Sequence, residues 1–362
     1  MTGKPRYMHG LDFMRVLLSV VVIYNHYAGW MQVSNEPWGA SDAVDGVLIG
    51  PLHLNPNLGF VGVSVFMLIS GLVVTQVSFR ETTGQFLGAR AARLLPSLWI
   101  ATLLAWAFAS WQWVNINRLP DFDDLFWNLL LVQYAVPETA QVLAVVWTLI
   151  VQVVFYLFVA ATIPLLRRWP WLPPALSVAL VSVLLSITPP DDPAPATAVR
   201  MIATFLPVLF IGQLISLVRL GKLPAGAGVA FGTLHFLLFV QADLTSKVWP
   251  NGQAFPRTLL IVVLIVLLAI RADGKLVRSP FVAAIAKRTY AAYLVHIPIS
   301  FALFRVITPA VGSWLTVAFA LLCVAVASEL LYRFVEDPVA RWYRRRTKAR
   351  TAKPELVGNW GT

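Results

Sequence analysis

Two ionisable residues, Arg15 and His26, stand inside one apolar stretch near the start of the chain, LDFMRVLLSVVVIYNHYAGW. Ionisable groups among lipid-facing side chains are costly, so they mark functional sites by default. On a helix, positions 15 and 26 project from one face and lie about 16 Å apart along the axis. The geometry places a fixed cation near the cytoplasmic surface and an imidazole deeper, toward the outer half of the membrane. Taken singly, Arg15 reads equally as a residue snorkelling to head groups and His26 as a packing histidine. The shared face favours the paired reading.

Other polar residues interrupt apolar runs further on. Ser64, Ser70 and Gly71 break FVGVSVFMLISGLVVT, where small residues also let helices approach closely. Arg90 and Arg93, three apart in FLGARAARLLP, form a pair of guanidiniums able to grip a phosphate; alone they read equally as the ordinary basic flank of a span. Gln152, between Trp147 and Tyr156 in VVWTLIVQVVFYLF, needs a hydrogen-bonding partner from another helix or from a substrate hydroxyl. His296 follows Tyr293 by one turn and precedes the kinking Pro298 in YAAYLVHIPI, an arrangement that lines cavities. Glu329 is read as the structural partner of a nearby arginine. The single cysteine, Cys323, lies in an apolar run and reads as packing, and no short-spaced His or Cys pair suggests a metal site.

The elements that position these residues follow from composition. Of 362 residues, 58 % are apolar and 12 % charged, about half the charge of a soluble domain. A soluble globular protein is excluded. Runs long enough to cross a bilayer cover approximately 11–31, 58–78, 94–114, 142–165, 171–188, 199–219, 224–242, 257–271, 284–307 and 313–335. The shorter piece from Leu125 to Val136 is expected to be re-entrant or interfacial. With the N-terminus inside, 22 Lys and Arg residues fall in inner loops and five in outer segments, while the acids, Glu36, Asp121 and Glu138 among them, fall outside. The formal charge of +11 is then a topology signal and requires no nucleic acid. The expected fold class is all-α: a polytopic membrane protein of about ten transmembrane helices with both termini cytoplasmic. Residues 1–340 form a single membrane-embedded domain, and 341–362 a basic cytoplasmic tail resting on anionic head groups.

With these pieces in order, the chain from about Leu11 to Arg341 resembles the acyltransferase-3 family of integral-membrane acyltransferases. The resemblance rests on Arg15 with ten residues to His26, GVSVFMLISG at 62–71, RAAR at 90–93 with LLP following, VWTLIVQVVFY at 146–156, YAAYLVHIPI at 290–299 and FVEDP at 334–338. It implies transfer of an acyl group, most often acetyl from acetyl-CoA, to a sugar hydroxyl on a bacterial surface polysaccharide or exopolysaccharide. The implied setting is the bacterial inner membrane. The implied partners are acyl-CoA as donor substrate, a polysaccharide or lipid-linked sugar as acceptor, and membrane lipids, with no bound cofactor. By the same resemblance His26 and Arg15 are catalytic and Arg90 with Arg93 contact the donor, while Ser70, Trp147, Gln152, Tyr293 and His296 are candidates to line the cavity. Gln152 departs from the family pattern, which usually has Glu at this place. The competing expectation is a polytopic transporter or export component for polysaccharide or lipid, with Arg15, His26 and His296 along its path. Such proteins often show duplicated halves, and no internal repeat is evident.

Overall fold

In lipid a backbone must satisfy its own hydrogen bonds, which leaves an apolar chain with this period the helix as its spanning form. The computed structural model describes residues 7–36, 38–116, 118–188, 196–245 and 255–351, and no strand occurs among them. Lys4, Arg6, Asp191, Asp192, Lys247 and Lys353, which enter the charge count, lie outside the described residues.

The order is α1 (His9–Val33), α2 (Gly39–Val44), α3 (Gly50–Leu52), α4 (Leu58–Ser78), α5 (Thr83–Ser110), α6 (Phe122–Leu129), α7 (Val146–Arg168) and α8 (Leu172–Ile187). It continues with α9 (Ala196–Arg219), α10 (Ala225–Leu244), α11 (Phe255–Arg271), α12 (Pro280–Ala286), α13 (Thr289–Val311), α14 (Ser313–Leu331) and α15 (Asp337–Thr351). Among the described residues, eight helices are long and apolar enough to cross a membrane. The expected spans at 171–188 and 257–271 correspond to α8 and α11, with 16 and 17 residues. At 1.5 Å per residue these are about 24–26 Å long, a few ångströms short of a typical hydrocarbon core.

Helix α4 sits at the centre, and glycines set its distances to its neighbours. A Cβ on Gly71 would stand 2.0 Å from the Leu209 carbonyl oxygen of α9, and one on Gly212 would stand 2.2 Å from the Leu68 carbonyl oxygen of α4. Only a missing side chain on each helix permits this approach, which is how small residues join helices where no hydrophobic effect drives them together. Gly62 makes room for a side chain instead, a Cβ there standing 2.3 Å from the Val22 Cγ2 methyl of α1. The contact brings the Arg15 and His26 helix against α4. Internal prolines, Pro96, Pro164, Pro207, Pro298 and Pro309, are carried inside helices that neighbouring helices support.

Short sequence signals fix the connections. Thr82 and Gln85 form a capping box at the start of α5, and Asp121 and Asp124 form one at the start of α6. Two tryptophans of α5 strap α6 along it: Trp106 Nε1 donates to the Asp121 carbonyl at 2.9 Å and Trp99 Nε1 to the Leu129 carbonyl at 3.1 Å. Two turns of α5 separate the straps, so α6 runs back antiparallel for about 10 Å. The expected re-entrant piece at 125–136 is therefore a helix that begins and ends earlier, followed by turns up to α7. Phe122, Phe126 and Leu130 form its exposed apolar stripe.

Asp124 anchors this hairpin, accepting from Arg118 Nη2 at 2.6 Å and from the backbone N–H groups of Ala140 at 2.8 Å and Asp121 at 2.9 Å. Burial alone would raise its pKa, but these donors outweigh it and hold the carboxyl below the ordinary Asp value. At the far end, Gly312 with φ of +81° turns α13 into α14. A π turn over Tyr332–Glu336 leads on to α15. The segment read from sequence as a basic tail is helical through Thr351, with Tyr343 donating to the Gln85 carbonyl at 3.0 Å.

Candidate active site

Five helices enclose a cavity of about 860 Å³, its mouth included. Each contributes one face: Val63, Met67, Ser70 and Val74 from α4, and Thr148, Gln152 and Tyr156 from α7, recurring every three or four residues. Tyr290 and Tyr293 come from α13, Arg90 and Arg93 from α5, and Arg15 from α1. Arg15 thus shares one space with the Arg90 and Arg93 pair, which is remote from it in sequence.

Their surroundings differ. Arg15 Nη1 donates to Asp12 Oδ1 at 3.1 Å, and the Tyr7 hydroxyl donates to the other oxygen of that buried carboxylate. Asp12 therefore fixes and partly neutralises Arg15. The Arg90 guanidinium lies 5.8 Å from the centroid of Phe86, and its Nε is buried without a hydrogen-bond partner among the described residues. Neither Arg90 nor Arg93 forms a salt bridge with a described carboxylate, although Glu81 lies within electrostatic reach of Arg90 and Glu336 of Arg93. Deeper in, Gln152 Nε2 donates to Ser70 Oγ at 2.5 Å, and Ser70 lies 3.5 Å from the Tyr156 hydroxyl. The Gln152 amide is here a donor, a role that an ionised carboxylate at the same position could not take.

A second cavity, about 610 Å³, holds His26 with Asn25, Asn57 and Trp147. His26 makes no hydrogen bond with a described residue, but its ring faces that of His296 with centroids 5.1 Å apart. His296 is fully buried, and its Nδ1 lies 2.8 Å from the Tyr293 carbonyl and 3.2 Å from that of Ala292. Carbonyl oxygens only accept, so Nδ1 carries the proton and Nε2 presents a lone pair. That Nε2 is buried with no hydrogen-bond partner among the described residues. An unpaired buried acceptor is expensive unless something donates to it during function.

Two residues, Val63 and Tyr293, line both cavities. The Tyr293 hydroxyl is held 2.6 Å from Thr148 Oγ1 and 3.1 Å from the Val145 carbonyl. Tyr293 thus borders both cavities at once.

The residues singled out in the sequence thus divide between the two spaces. Arg15, Arg90, Arg93, Ser70 and Gln152 line the first, His26 and Trp147 the second, Tyr293 both, and His296 meets His26 ring to ring. Glu329 pairs with Arg288, Nη2 to Oε1 at 3.1 Å, as its structural reading required. Sequence reasoning missed Thr148, although Thr148, Gln152 and Tyr156 stand at four-residue spacing, a polar stripe visible in the letters. Asn25 and Asn57 gave less to find, since one adjoins the more conspicuous His26 and the other lies just before α4.

Helices of this length and apolarity that enclose polar groups define a multi-pass membrane protein with an internal site. The chain belongs to the acyltransferase-3 family, whose acyltransferase domain matches residues 8–333. No curated protein and no solved structure shows significant similarity to it.

Proposed function

We propose that the protein is a membrane O-acyltransferase that moves an acyl group, acetyl by preference, from acyl-CoA to a hydroxyl of a bacterial surface polysaccharide or exopolysaccharide sugar. The observation that carries this reading is the junction at Tyr293 of a cavity with three arginines and a cavity with His26 and His296. Coenzyme A is polyanionic, and guanidiniums hold phosphates through charge-assisted hydrogen bonds. Arg15, Arg90 and Arg93 take that part, with the thioester extending past Ser70 and Gln152 towards Tyr293. The acceptor sugar occupies the histidine cavity, where Asn25 and Asn57 offer amides and Trp147 an aromatic face.

His26 removes the proton of the attacking hydroxyl, and His296, its Nδ1 committed to backbone carbonyls, orients His26 through the free Nε2. Over the whole reaction the thioester C–S bond breaks and an ester C–O bond forms. The hydroxyl proton passes by way of His26 to the coenzyme A sulfur, which leaves as the thiol.

The donor is cytoplasmic, which sets the orientation in the bacterial inner membrane: arginine cavity inward, both termini inward. Basic residues end α7 (Arg167, Arg168), α9 (Arg219) and α11 (Arg271). If all three ends face the cytoplasm, α8, α10 and α11 must each cross, giving ten spans. Helices a few ångströms short are accommodated by local thinning of the bilayer. The exposed arginines of α15 then lie against anionic head groups.

The test is donor chemistry. Purified protein with radiolabelled acetyl-CoA and acceptor glycan is expected to yield labelled ester, and His26→Ala to abolish it. Label transfer unaffected by His26→Ala would remove the assigned base, and no transfer from any acyl-CoA would favour a transport path.

A further inference from the structure

Resting on that acyl-transfer reading, we propose that Tyr293 is the gate between the two cavities and determines which acyl groups the protein can transfer. The donor and the histidine pair occupy separate spaces. His26 lines only the second cavity, and the three arginines line only the first. Reaction requires the thioester carbonyl and the attacking hydroxyl to come within about 3–3.5 Å of each other. The acyl group must therefore reach the common wall, and Tyr293 and Val63 are the two residues that line both sides of it.

The wall has a latch. The Tyr293 hydroxyl meets Thr148 Oγ1 at 2.6 Å and the Val145 carbonyl at 3.1 Å, while Thr148 Oγ1 itself donates to the same carbonyl at 2.9 Å. Thr148 lines the arginine cavity and Val145 the histidine cavity. These bonds fix the Tyr293 side chain, whose ring centroid lies 6.3 Å from that of Phe66 and 6.0 Å from that of His296. A methyl group on the carbonyl needs little displacement of the ring to pass. A longer chain must keep the ring displaced for the length of the transfer, losing the latch and the packing against Phe66.

Selectivity for a short acyl chain thus follows from the position of one aromatic side chain, with Thr148 and Val145 setting how firmly it stands. Tyr293 acts here through size and position and needs no change in its own protonation.

The experiment compares three labelled donors, acetyl-CoA, butanoyl-CoA and octanoyl-CoA. Each is given to membranes of the producing cells that contain the full chain and their own glycans, and base-labile glycan ester is counted. Wild type is expected to use acetyl-CoA best. Tyr293→Ala is expected to shift the butanoyl-to-acetyl ratio upward by about tenfold or more, the scale of discrimination by size in an apolar passage. Thr148→Val, which keeps the ring and removes one of the two hydrogen-bond partners of its hydroxyl, is expected to shift the ratio in the same direction by less, and keeps the test decisive if Tyr293→Ala does not fold. A wild type that uses octanoyl-CoA as readily as acetyl-CoA overturns the proposal. So does an active wild type whose chain-length profile is unchanged in both variants. A wild type that transfers no acyl group from any donor overturns the acyltransferase reading itself, and the gate with it.

Discussion

The imidazole of His26 on α1 and that of His296 on α13 lie with centroids 5.1 Å apart, and the Nδ1 of His296 is committed to two backbone carbonyls. One ring is therefore fixed in tautomer and orientation while the other is free of hydrogen bonds to the described residues and opens on a cavity. Such an asymmetric pair behaves as a unit, which has a kinetic signature. Replacing either histidine by alanine is expected to lower ester formation by about 10²–10⁴-fold, the range for loss of a general base. The double variant is expected to be no slower than the slower single one, because groups acting as a unit are not additive. Rates of labelled ester formation in the three variants check this, and multiplicative losses would assign the rings to separate steps.

Arg90 and Arg93 face the first cavity without a direct salt bridge to a described carboxylate, whereas Arg15 is tied to Asp12. Substituting Arg90 and Arg93 together by Gln is expected to raise the KM for acyl-CoA much more than it lowers kcat. A charged hydrogen bond is worth about 1.5–3 kcal/mol, which predicts a loss of roughly ten- to a hundredfold for each phosphate contact removed. Titration of donor binding to purified protein measures the effect directly. An unchanged affinity would return both residues to the ordinary basic flank of a span.

The α4 and α9 contact makes a stability prediction independent of function. A Cβ at Gly71 would collide with backbone, the Leu209 carbonyl, which cannot rotate away. Gly71→Ala is expected to cost about 1–3 kcal/mol through forced separation of the two helices. Gly232→Ala on α10, where a Cβ meets open space, is expected to lose nothing and to gain roughly 0.5–1 kcal/mol from helix propensity. Thermal unfolding of both variants in detergent separates these outcomes. Equal melting temperatures would show that the close crossing contributes nothing.

The α6 hairpin should respond to acid. Asp124 has a folded-state pKa held below its ordinary value of 3.8 by Arg118 and two backbone donors, which outweigh burial. A depressed carboxylate pKa contributes stability that is fully present above the unfolded value and disappears as pH falls through the folded one. Protease cleavage near 130–140 is therefore expected to stay slow above about pH 4 and to accelerate below it in wild type. Asp124→Asn is expected to be cleaved faster throughout and to lose that acid step. A variant that keeps the same step would assign it to another carboxyl group.

Much of this arrangement was legible in the letters because apolar runs and charge flanks are local properties. The helices carrying Arg15, Gln152 and His296 fall where hydropathy puts them. What the sequence could not contain is the meeting of distant faces. Nothing in the spacing of Tyr293 indicates that Thr148 will hold its hydroxyl, and nothing beside His26 announces His296. Helix α6 was placed a few residues late because its buried polar face, Asp124 and Asn128, reads as an interruption to an apolar run when it is in fact the side turned inward. The same limit applies to α15, whose arginines dominate composition while Tyr343 packs against α5.

That tyrosine has a practical consequence. The ring of Tyr343 fills the space over Gly88 so closely that a Cβ there would stand 2.3 Å from its hydroxyl, and Gly88 lies two residues before Arg90. The C-terminal helix is therefore a brace on the segment that carries the paired arginines. A shortened version ending before Tyr343 would leave the groove at Gly88 empty and the first turns of α5 unsupported, whereas a tag joined after Thr362 leaves that contact intact.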